Sequence, residues 1–575
     1  MKQEAVGMQA MYVPDSYGRN LYKIDPQFER LLKLYLPQDL FGYLQPHLER
    51  LGALAGGKLD DLAGTADRNP PTLRLRTRNG GDAQSIEKHP AFEELERHAY
   101  SEYGLAAMSH RGGVLGWPTS MPPAAKYALT FLFVQAEFGL CCPVSMTDSL
   151  TRTLRKFGAP DLVARFLPEL TSLDMDELAQ GAMFITEHGA GSDVGASVMT
   201  AREAGDGTWL LDGDKWFCTN PDAGYAMVLA RPVGAAAGTK GLALYLLPKT
   251  LPDGTPNRFR ILRLKDKLGS RSVASGEIRF ESATAYLVGE VGRGFVQMTD
   301  MINSSRLSNG VRAAGLMRRG LNEALFVARE RLAFGRRLID LPLMQRQLVK
   351  MMVWTEQART MAFQTAAALQ SADAGDEIGR GLIRVMTPLI KFRACRDARK
   401  VTGDAMEVRG GCGYVEEWAE ARLVRDAHLG SIWEGTSNIV ALDVMRSIRK
   451  SDTATKLAAH WARQLDEAKL TPRLRERFDA TLARVTELAN WAAAAPREEL
   501  ARQVASALYD ATTAVAMAWE AEQSGDARRL LLADLVLRHR LSARDPLARE
   551  PDPTALFDKL LSEMPMNRAE LSVLD

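Results

Sequence analysis

The hydrophobic periodicity changes twice along this chain of 575 residues. Residues 20 to about 170 carry apolar side chains every three or four positions, as amphipathic helices do. From about residue 180 to 290, short β-prone runs alternate with glycine and aspartate turns, which indicates a small barrel or sandwich. After Gly294 the helical period returns in long amphipathic segments, which indicates a helical bundle.

We therefore predict an α+β fold in four parts. Their residues are 1–178 (N-terminal helical domain), 179–292 (middle β domain), 293–450 (helical bundle) and 451–575 (helical C-terminal extension). In the first part, the polar, turn-rich residues 64–82 separate helices, and residues 126–147 form one apolar helix that Pro143 helps to end. Several domains are expected because single cores stop growing at about 250–300 residues.

Composition argues against several classes of protein. Hydrophobic residues make up 46% and charged residues 25%, which is typical of a globular protein, and the net charge of +2 argues against a protein dominated by polyanion binding. The five cysteines show no CxxC spacing, so neither a metal site nor a disulfide framework is suggested. The sequence has no long apolar run and no targeting pattern at its start. We therefore expect a cytoplasmic protein without a membrane span.

A polar turn, Trp433–Asn438, precedes the last helix of the predicted bundle. Thr436 or Ser437 can cap this helix, whose free N–H groups favour an anion. The carboxylate of Glu434 stands just before that helix start. Taken alone, the turn has an alternative interpretation, in which Glu434 has no catalytic role and is simply a glutamate that precedes a capped helix. In the helix itself, apolar residues recur every three positions at Ile439, Leu442, Met445 and Ile448.

Four local motifs occur in one order along the chain. They are ITEHGAGSD (185–193), RLAFG (331–335), GGCGY with RDA (410–414 and 425–427) and IWEGTS (432–437). The chain thereby resembles the acyl-CoA dehydrogenase family, whose motifs are TEPGAGSD, RxxFG, GGxGY…RDA and IYEGTS. The stretches CCPVSMT (141–147), KDKLGSRSVAS (265–275) and SIWEGTSNIVALDVMR (431–446) are similar to the AidB branch of that family, which also carries a C-terminal helical extension.

The resemblance implies an FAD-dependent enzyme that removes hydrogens from the α and β carbons of an acyl-CoA thioester. A carboxylate takes the α-proton, a hydride passes to flavin N5, and an electron-transfer flavoprotein accepts the electrons. Glu434 matches the family's usual base. Some members carry the base before an Arg-Leu pair on a bundle helix, but here Ser305 precedes Arg306-Leu307 and cannot act as a carboxylate base.

Further site residues carry over from the family position by position. Arg271 and Gly435 are expected to contact substrate, and a structural salt bridge is the alternative for Arg271. Arg331, Gly410 and Gly411 match positions that contact the FAD of an adjacent subunit, so the resemblance implies a homotetramer with shared sites. The positions that match FAD contacts are Met183, Ile185, Thr186, Gly191, Ser192, Phe217, Thr219, Arg331, Phe334, Gly410, Gly411, Thr436 and Asn438.

Some positions depart from the family pattern. Glu407 stands where many members carry glutamine beside the FAD diphosphate, and Arg409 would have to offset its charge. Trp433 replaces the usual tyrosine next to the base, so the acyl pocket is expected to differ in width. His188 replaces a turn proline, and we interpret it as a turn residue.

The resemblance to AidB leaves a second function open, a DNA-binding stress protein with weak dehydrogenase activity. In that branch the C-terminal extension carries the DNA contacts. Residues 450–575 hold 18 Lys and Arg against 20 Asp and Glu, a balance of −2. The pairs Arg528-Arg529 and Arg538/Arg540 could still form a local basic patch. The charge balance favours the dehydrogenase over DNA binding.

Overall fold

The computed structural model describes residues 13–450, 452–495, 497–543, 545, 547 and 556–574. Helices dominate both halves of the chain. In chain order they are α1 (Pro26–Tyr35), α2 (Gln38–Ala55), α3 (Lys58–Arg68), α4 (Pro90–Glu96), α5 (Pro123–Phe133), α6 (Cys141–Phe157), α7 (Pro160–Leu170), α8 (Gly294–Glu330), α9 (Pro342–Asp373), α10 (Glu377–Arg409), α11 (Ala419–Leu429), α12 (Ser437–Lys450), α13 (Thr453–Glu467), α14 (Pro472–Ala494), α15 (Ala501–Ser524), α16 (Arg528–Arg540) and α17 (Phe557–Ser562).

The strands lie mainly between α7 and α8. In chain order they are β1 (Thr72–Arg76), β2 (Asp82–Glu87), β3 (Gly181–Phe184), β4 (Thr200–Glu203), β5 (Trp209–Thr219), β6 (Tyr225–Pro232), β7 (Ala243–Pro248), β8 (Phe259–Leu264), β9 (Ser275–Val288), β10 (Leu332–Ala333) and β11 (Arg336–Arg337). The order of helices, strands, helices and further C-terminal helices confirms the predicted α+β class.

The described residues form two compact units. The first lies within Met1–Lys58, Pro123–Ala136 and Asn309–Asp575 and holds α1, α2, α5 and α9–α17. The second lies within Leu59–Pro122 and Glu137–Ser308 and holds the strands β1–β9. The boundaries of the four domains that the sequence suggests stay predictions.

The strands of the second unit close into a barrel. β3 and β4 both pair parallel with β6, while β5 pairs antiparallel with β4 and β9. β7 pairs antiparallel with β6 and β9, so β6, β4, β5, β9 and β7 form a closed ring, and β8 is added along β9. Alternate side chains fill the interior because successive residues of a strand point to opposite faces. Val228, Tyr245, Ile278 and Phe280 belong to this core.

A hairpin stands where the sequence analysis expected only a polar connection between helices. β1 pairs antiparallel with β2, and Leu73 and Ile86 pack against the barrel core. The side chain of Gln84 accepts a hydrogen bond of 2.8 Å from the backbone N–H of Ile261. The hairpin therefore depends on contacts distant in sequence, which the local pattern does not reveal.

The helix predicted over residues 126–147 is wrong in its boundaries. α5 ends at Phe133 and α6 begins at Cys141, so Pro143 lies in the first turn of α6 rather than at a helix end. A proline is tolerated there because the N–H groups of a first helical turn have no intrahelical acceptor. Among the residues that the structure describes, none of the helices has both the length and the apolar character of a membrane span.

A buried ionic cluster joins the C-terminal extension to the bundle of the first unit. Glu356 on α9 accepts hydrogen bonds from Arg359 at 2.6 Å and from Arg529 on α16 at 3.0 Å. Arg529 also binds Glu520, and Arg359 binds Asp25, the residue that caps α1. All members are at most 4% exposed. The cluster consists of Asp25, Arg318, Glu356, Arg359, Glu520, Arg528, Arg529 and Glu563.

Candidate functional site

A buried ion pair holds the loop that follows β3 in the second unit. The Nζ of Lys215 donates to Glu187 at 2.7 Å and to the carbonyl of Ile185 at 3.0 Å. Both side chains are almost fully buried, at 0% and 4% exposure. Burial alone would raise the pKa of the Glu187 carboxyl, but the charge of Lys215 with the hydrogen bonds from Ser197 and Val198 outweighs burial and lowers it. The ionised pair fixes the start of the ITEHGAGSD segment.

The end of β3 lies beside the end of β5. The backbone N–H of Trp216 donates to the carbonyl of Thr186 at 2.8 Å, which brings Thr186 beside the residue that precedes Phe217. Met183 lies three residues before Thr186, on β3. The ring of Phe217 is 55% exposed. Thr219, also in this group, has its hydroxyl 3.4 Å from that of Ser275 on β9. An exposed aromatic ring with threonine hydroxyls on nearby residues can accept a flat, partly polar molecule.

The rest of the ITEHGAGSD loop is largely open to solvent, except for the buried Ala190. Gly191 and Ser192 are exposed, and a Cβ on Gly191 would meet no atom of the chain within 4 Å. The ring of His188 packs on Trp216 with 3.6 Å between centroids, which agrees with its interpretation as a turn residue. The loop therefore leaves room for a ligand beside its backbone.

Arg271 lies on the turn between β8 and β9. Its Nε donates to the carbonyl of Lys267 at 3.4 Å, and Lys267 reaches Ser275, the cross-strand partner of Thr219. Within the described residues, Arg271 forms no salt bridge to a carboxylate. The turn thus places Arg271 on the same side of the barrel as Thr219.

Glu434 lies in the first unit, on a turn with unusual backbone geometry. Its φ is +55° and that of Gly435 is +103°, so two consecutive residues adopt left-handed conformations. Such a conformation costs a non-glycine residue about 1–3 kcal/mol and clusters at functional sites. The carboxylate is 5% exposed and lies 3.8 Å from the Nη2 of Arg312, whose side chain is fully buried. The guanidinium of Arg312 also lies over the ring of Trp433, 4.9 Å from its centroid.

A second buried cation holds the same turn. The Nζ of Lys391 on α10 donates to the carbonyl of Gly435 at 2.6 Å. The backbone N–H of Val440 then donates to the carbonyl of Thr436 at 3.0 Å, so Thr436 stands at the cap of α12, as the sequence indicates. Asn438, in the first turn, accepts a hydrogen bond of 2.7 Å from Arg502.

The buried face of α12 differs from the predicted stripe. Ile439 and Leu442 are only half-buried. A spacing of three residues drifts by about 60° per step on an α-helix, so it cannot follow one face. Apart from two serines, the residues that face the interior are Val440, Ala441, Val444, Met445 and Ile448.

The remaining predicted residues form a separate group at the other end of α10. The Nη1 of Arg331 donates to the carbonyl of Arg409 at 3.2 Å, which brings it beside Gly410. Gly411 is exposed, and Phe334, at φ +53°, is 93% exposed. Lys391 and Arg409 are 18 residues apart on α10, and a rise of 1.5 Å per residue separates them by about 27 Å. One chain therefore does not bring Arg331 close to Glu434.

Arg409 does not pair with Glu407 and so does not offset its charge by direct contact. Arg409 is buried and binds Glu323 at 2.7 Å and Glu420 through a short hydrogen bond. The carboxylate of Glu407 instead accepts a hydrogen bond of 3.4 Å from Gln347 on α9. Burial together with the nearby charge of Glu323 raises the pKa of Glu420, although Arg409 opposes this.

Arg312 and Lys391 are the site residues that the sequence analysis missed. Both lie within long helices, far from Glu434 in sequence. The only sequence signal that could have identified them is a cation on the buried face of α8 or α10. That signal could not be used, because the sequence pattern of a bundle helix does not show which face is buried. The fold alone brings them to the turn.

Comparisons with known families match three consecutive parts of the chain. The N-terminal domain of adaptive response protein AidB matches residues 12–177. The middle domain of acyl-CoA dehydrogenase matches residues 182–283, and the C-terminal domain of acyl-CoA dehydrogenase matches residues 292–449. The three matches follow the order helices, barrel, bundle.

Individual proteins are similar over most of the chain. The AidB protein of Escherichia coli (strain K12) is 32% identical over 462 residues, which cover 78% of this chain and 80% of that protein. Acyl-CoA dehydrogenase family member 11 of Caenorhabditis elegans is 30% identical over 437 residues, which cover 74% of this chain and 70% of that protein. The crystal structure of C. elegans ACDH-11 in complex with C11-CoA has a TM-score of 0.87 and 25% identity, with 93% of each chain covered.

Proposed function

Because the chain belongs to the acyl-CoA dehydrogenase family, in its AidB branch, we propose that it removes hydrogens from the α and β carbons of an acyl-CoA thioester. The observation that carries this proposal is the buried carboxylate of Glu434, held on a left-handed turn directly before α12. The complex of the C. elegans protein with an acyl-CoA supports this class of substrate.

FAD is the cofactor that the residues of the second unit fit. The exposed ring of Phe217, the hydroxyls of Thr186 and Thr219 and the open loop at Gly191 suit a flat ring that carries a phosphate chain. Arg271 would stand on the same side of the barrel as Thr219. When bound, the flavin would take the hydride from the β-carbon, and an electron-transfer flavoprotein is the proposed electron acceptor.

Glu434 is proposed to take the α-proton on a carboxylate oxygen. Arg312, 3.8 Å away, restrains the carboxylate and keeps positive charge beside the reacting carbons. Lys391 fixes the carbonyl of Gly435 and so the turn. In this family the thioester oxygen binds the backbone N–H of the base, a donor that stabilises the developing negative charge.

Flavin content and bleaching test this function directly. We expect the purified protein to be yellow, to release FAD on acid treatment, and to lose flavin absorbance when an acyl-CoA substrate is added without oxygen. A panel of straight and branched CoA thioesters, followed at the flavin band, identifies the acyl group. A colourless protein that takes up no added FAD would contradict the proposal.

We propose further that the protein is a homotetramer with FAD sites shared between chains. The distance between Arg331 and Glu434 supports this. Within one chain, Arg331 lies beside one end of α10 and the turn of Glu434 lies beside a distant part of that helix, so the two cannot complete the same site. The exposed rings of Phe334 and Tyr414, at 93% and 82%, add apolar surface near Arg331, which a second copy of the chain would cover.

Arg331→Ala is expected to lower FAD retention and the stability of the oligomer together. The variant removes a cation that would pair with the diphosphate of a neighbouring chain's FAD, and ligand binding stabilises an assembly by mass action. Light scattering with flavin absorbance measures both. Arg336→Ala, an exposed arginine on the same short hairpin, is the matched control. A wild-type monomer with full FAD occupancy would rule out shared sites.

The AidB-like DNA-binding function is the alternative, and the structure weakens one basis for it. Arg528 and Arg529, considered above as a basic patch, are buried at 0% and 2% exposure. Arg538 pairs with Asp534 and Arg540 with Asp510. These four arginines therefore offer little free positive charge to phosphates.

Duplex DNA is expected to bind weakly or not at all at physiological salt. Non-specific affinity depends on cations that displace counterions, at about one unit of salt slope per phosphate neutralised. Fluorescence titration of a labelled duplex at two salt concentrations measures both the affinity and the slope. Micromolar affinity with a steep slope would favour the alternative.

A further inference from the structure

A cavity of about 560 Å³ lies within the first unit, between two helices of the bundle and the C-terminal extension. α9 and α10 form two of its walls, α16 forms a third, and Phe557 at the start of α17 adds to them. We call it the α16 cavity. Ligand pockets in proteins have volumes of about 300–1,000 Å³, so the α16 cavity is large enough for a small organic molecule.

The floor of the α16 cavity is apolar. Val349 and Val353 lie one turn apart on α9, and Trp354 lies next to Val353. Leu535 on α16 and Phe557 on α17 line the same space. All five side chains are buried, at 8% exposure or less. An apolar body that enters the cavity would leave water on contact with them, which is the main favourable term in binding such a group.

Positive charge exceeds negative charge in the lining of the α16 cavity. Its cations are Arg346, Lys350, Lys400 and Arg540, with His539 beside them, and its carboxylates are those of Asp404 and Glu407. Arg346, Lys350 and Lys400 are exposed, so they stand at the mouth of the cavity and not on its floor. The excess of cations favours an anionic group at the mouth.

Lys350 is the cation best placed to bind that group. Its Nζ lies 4.9 Å from the centroid of the Trp354 ring, so its charge stands where the floor meets the mouth. Within the described residues, no carboxylate lies within ion-pair distance of Lys350. Lys400, in contrast, binds Asp404, and Arg540 binds a carboxylate of α15 at 3.3 Å. One such lysine suits a single negative charge, whereas phosphate groups are matched by several arginine forks.

The α16 cavity uses a different face of α10 from the groups of the proposed function. Lys400, Asp404 and Glu407 follow one another at spacings of four and three residues, so they share the face that meets α9. Arg409 points to partners on α8 and α11 instead. Glu407 forms the edge of the cavity toward Gly410, and the lining of α10 extends two turns back from there. A ligand in the cavity therefore rests mainly on residues that the proposed function does not use.

We propose that the α16 cavity binds an amphipathic carboxylate, a molecule with an apolar body and one carboxylate head group. The body packs on Val353, Trp354 and Leu535, and the head group pairs with Lys350 at the mouth. Two sources carry this chemistry, a carboxylate with an aliphatic chain and an aromatic carboxylate. The inference does not rest on the proposed function, and it gives the C-terminal extension a part in ligand binding through α16.

Calorimetric titration of the flavin-loaded, full-length protein tests the site, with octanoate for the aliphatic source and naphthoate for the aromatic one. Each titration is repeated with octanoyl-CoA present, so that the site proposed for acyl-CoA is occupied. We expect at least one of the two carboxylates to bind at a single site per chain, with an affinity that octanoyl-CoA leaves unchanged. The carboxylate that binds more tightly identifies the source.

Two variants locate the binding. Lys350→Glu reverses the charge at the mouth, and Val353→Phe fills part of the floor, so each is expected to weaken binding about tenfold or more. Arg484→Glu, which makes the same change of charge at an exposed position of α14 outside the cavity, is the matched control and should bind as wild type does. Lys350 is exposed, so its substitution should leave the melting temperature unchanged, and a thermal scan checks both variants.

Other results overturn the proposal. Wild-type protein that binds neither carboxylate, or an unchanged affinity in Lys350→Glu or in a folded Val353→Phe, would show that the cavity does not hold this ligand. Displacement by octanoyl-CoA would assign the carboxylate to the acyl-CoA site. Binding that appears only when the assembly is diluted into single chains would assign the cavity to an interface between copies. Protein that takes up no FAD but binds the carboxylate as expected would defeat the proposed function and support this inference.

Discussion

Glu434→Gln is expected to keep the fold and the FAD content while slowing flavin reduction by an acyl-CoA by about 10²–10⁴-fold. Glutamine has nearly the same shape as glutamate but cannot accept the α-proton. Rapid mixing without oxygen, followed at the flavin absorbance band, measures the rate in both proteins. Glu417→Gln, an exposed glutamate of the same unit, is the matched control and should reduce flavin at the wild-type rate.

Equal reduction rates in wild type and Glu434→Gln would place the base elsewhere. Loss of FAD from the variant would make the rate uninformative about the base, so flavin content is measured first. A normal absorbance spectrum with a slow rate is the expected combination, because glutamine keeps the shape of Glu434 and the variant leaves every residue proposed to contact FAD unchanged.

Glu356→Gln is expected to destabilise the protein by about 3–5 kcal/mol, because it leaves buried arginines without their carboxylate. Arg359 and Arg529 both donate to Glu356, and all three side chains are at most 3% exposed. Urea unfolding curves compare the variant with wild type. The matched control is Glu377→Gln, since Glu377 also pairs with an arginine three residues on but is 70% exposed. That change should cost at most about 1 kcal/mol.

The stabilising effect of Glu356 should depend on pH. Burial alone would raise the pKa of its carboxyl, but Arg359, Arg529, Arg528 and Arg318 lower it far below the usual value of 4.5. A lowered folded-state pKa means that the stabilisation is complete above about pH 4.5 and is lost as the pH falls below that. The stability gap between wild type and Glu356→Gln should therefore shrink in acid. A constant gap down to pH 3 would contradict this assignment.

The order of the helical and β regions was predicted well from the sequence, because hydrophobic periodicity and composition depend on local structure. The barrel strands and the long helices α8–α10 lie where alternation and amphipathic spacing indicated them. The hairpin β1–β2 was missed because its stability comes from docking on the barrel through Leu73, Ile86 and Gln84. Pro143 was misplaced because a proline suits a first helical turn as well as a helix end.

Predictions of charged residues were the least reliable. Arg528 and Arg529 suggested a basic surface, yet they lie in the buried ionic cluster. Their partners Glu356 and Glu563 come from distant helices, and no spacing rule connects them. The same limit hid Arg312 and Lys391, which reach the turn of Glu434 only in the folded chain. Glu434 could be proposed as a candidate from the sequence because its motif is local.

The length of α10 between Lys391 and Arg409 has a genetic consequence. If each site draws Arg331 from a neighbouring chain, a chain with Glu434→Gln and a chain with Arg331→Ala carry complementary defects. In a mixed dimer, one site would combine both defects, whereas the other would combine an intact Glu434 with an intact Arg331. Two alleles that are each inactive alone would then restore partial activity when expressed together, and a double substitution on one chain would behave differently from the same two changes on separate chains.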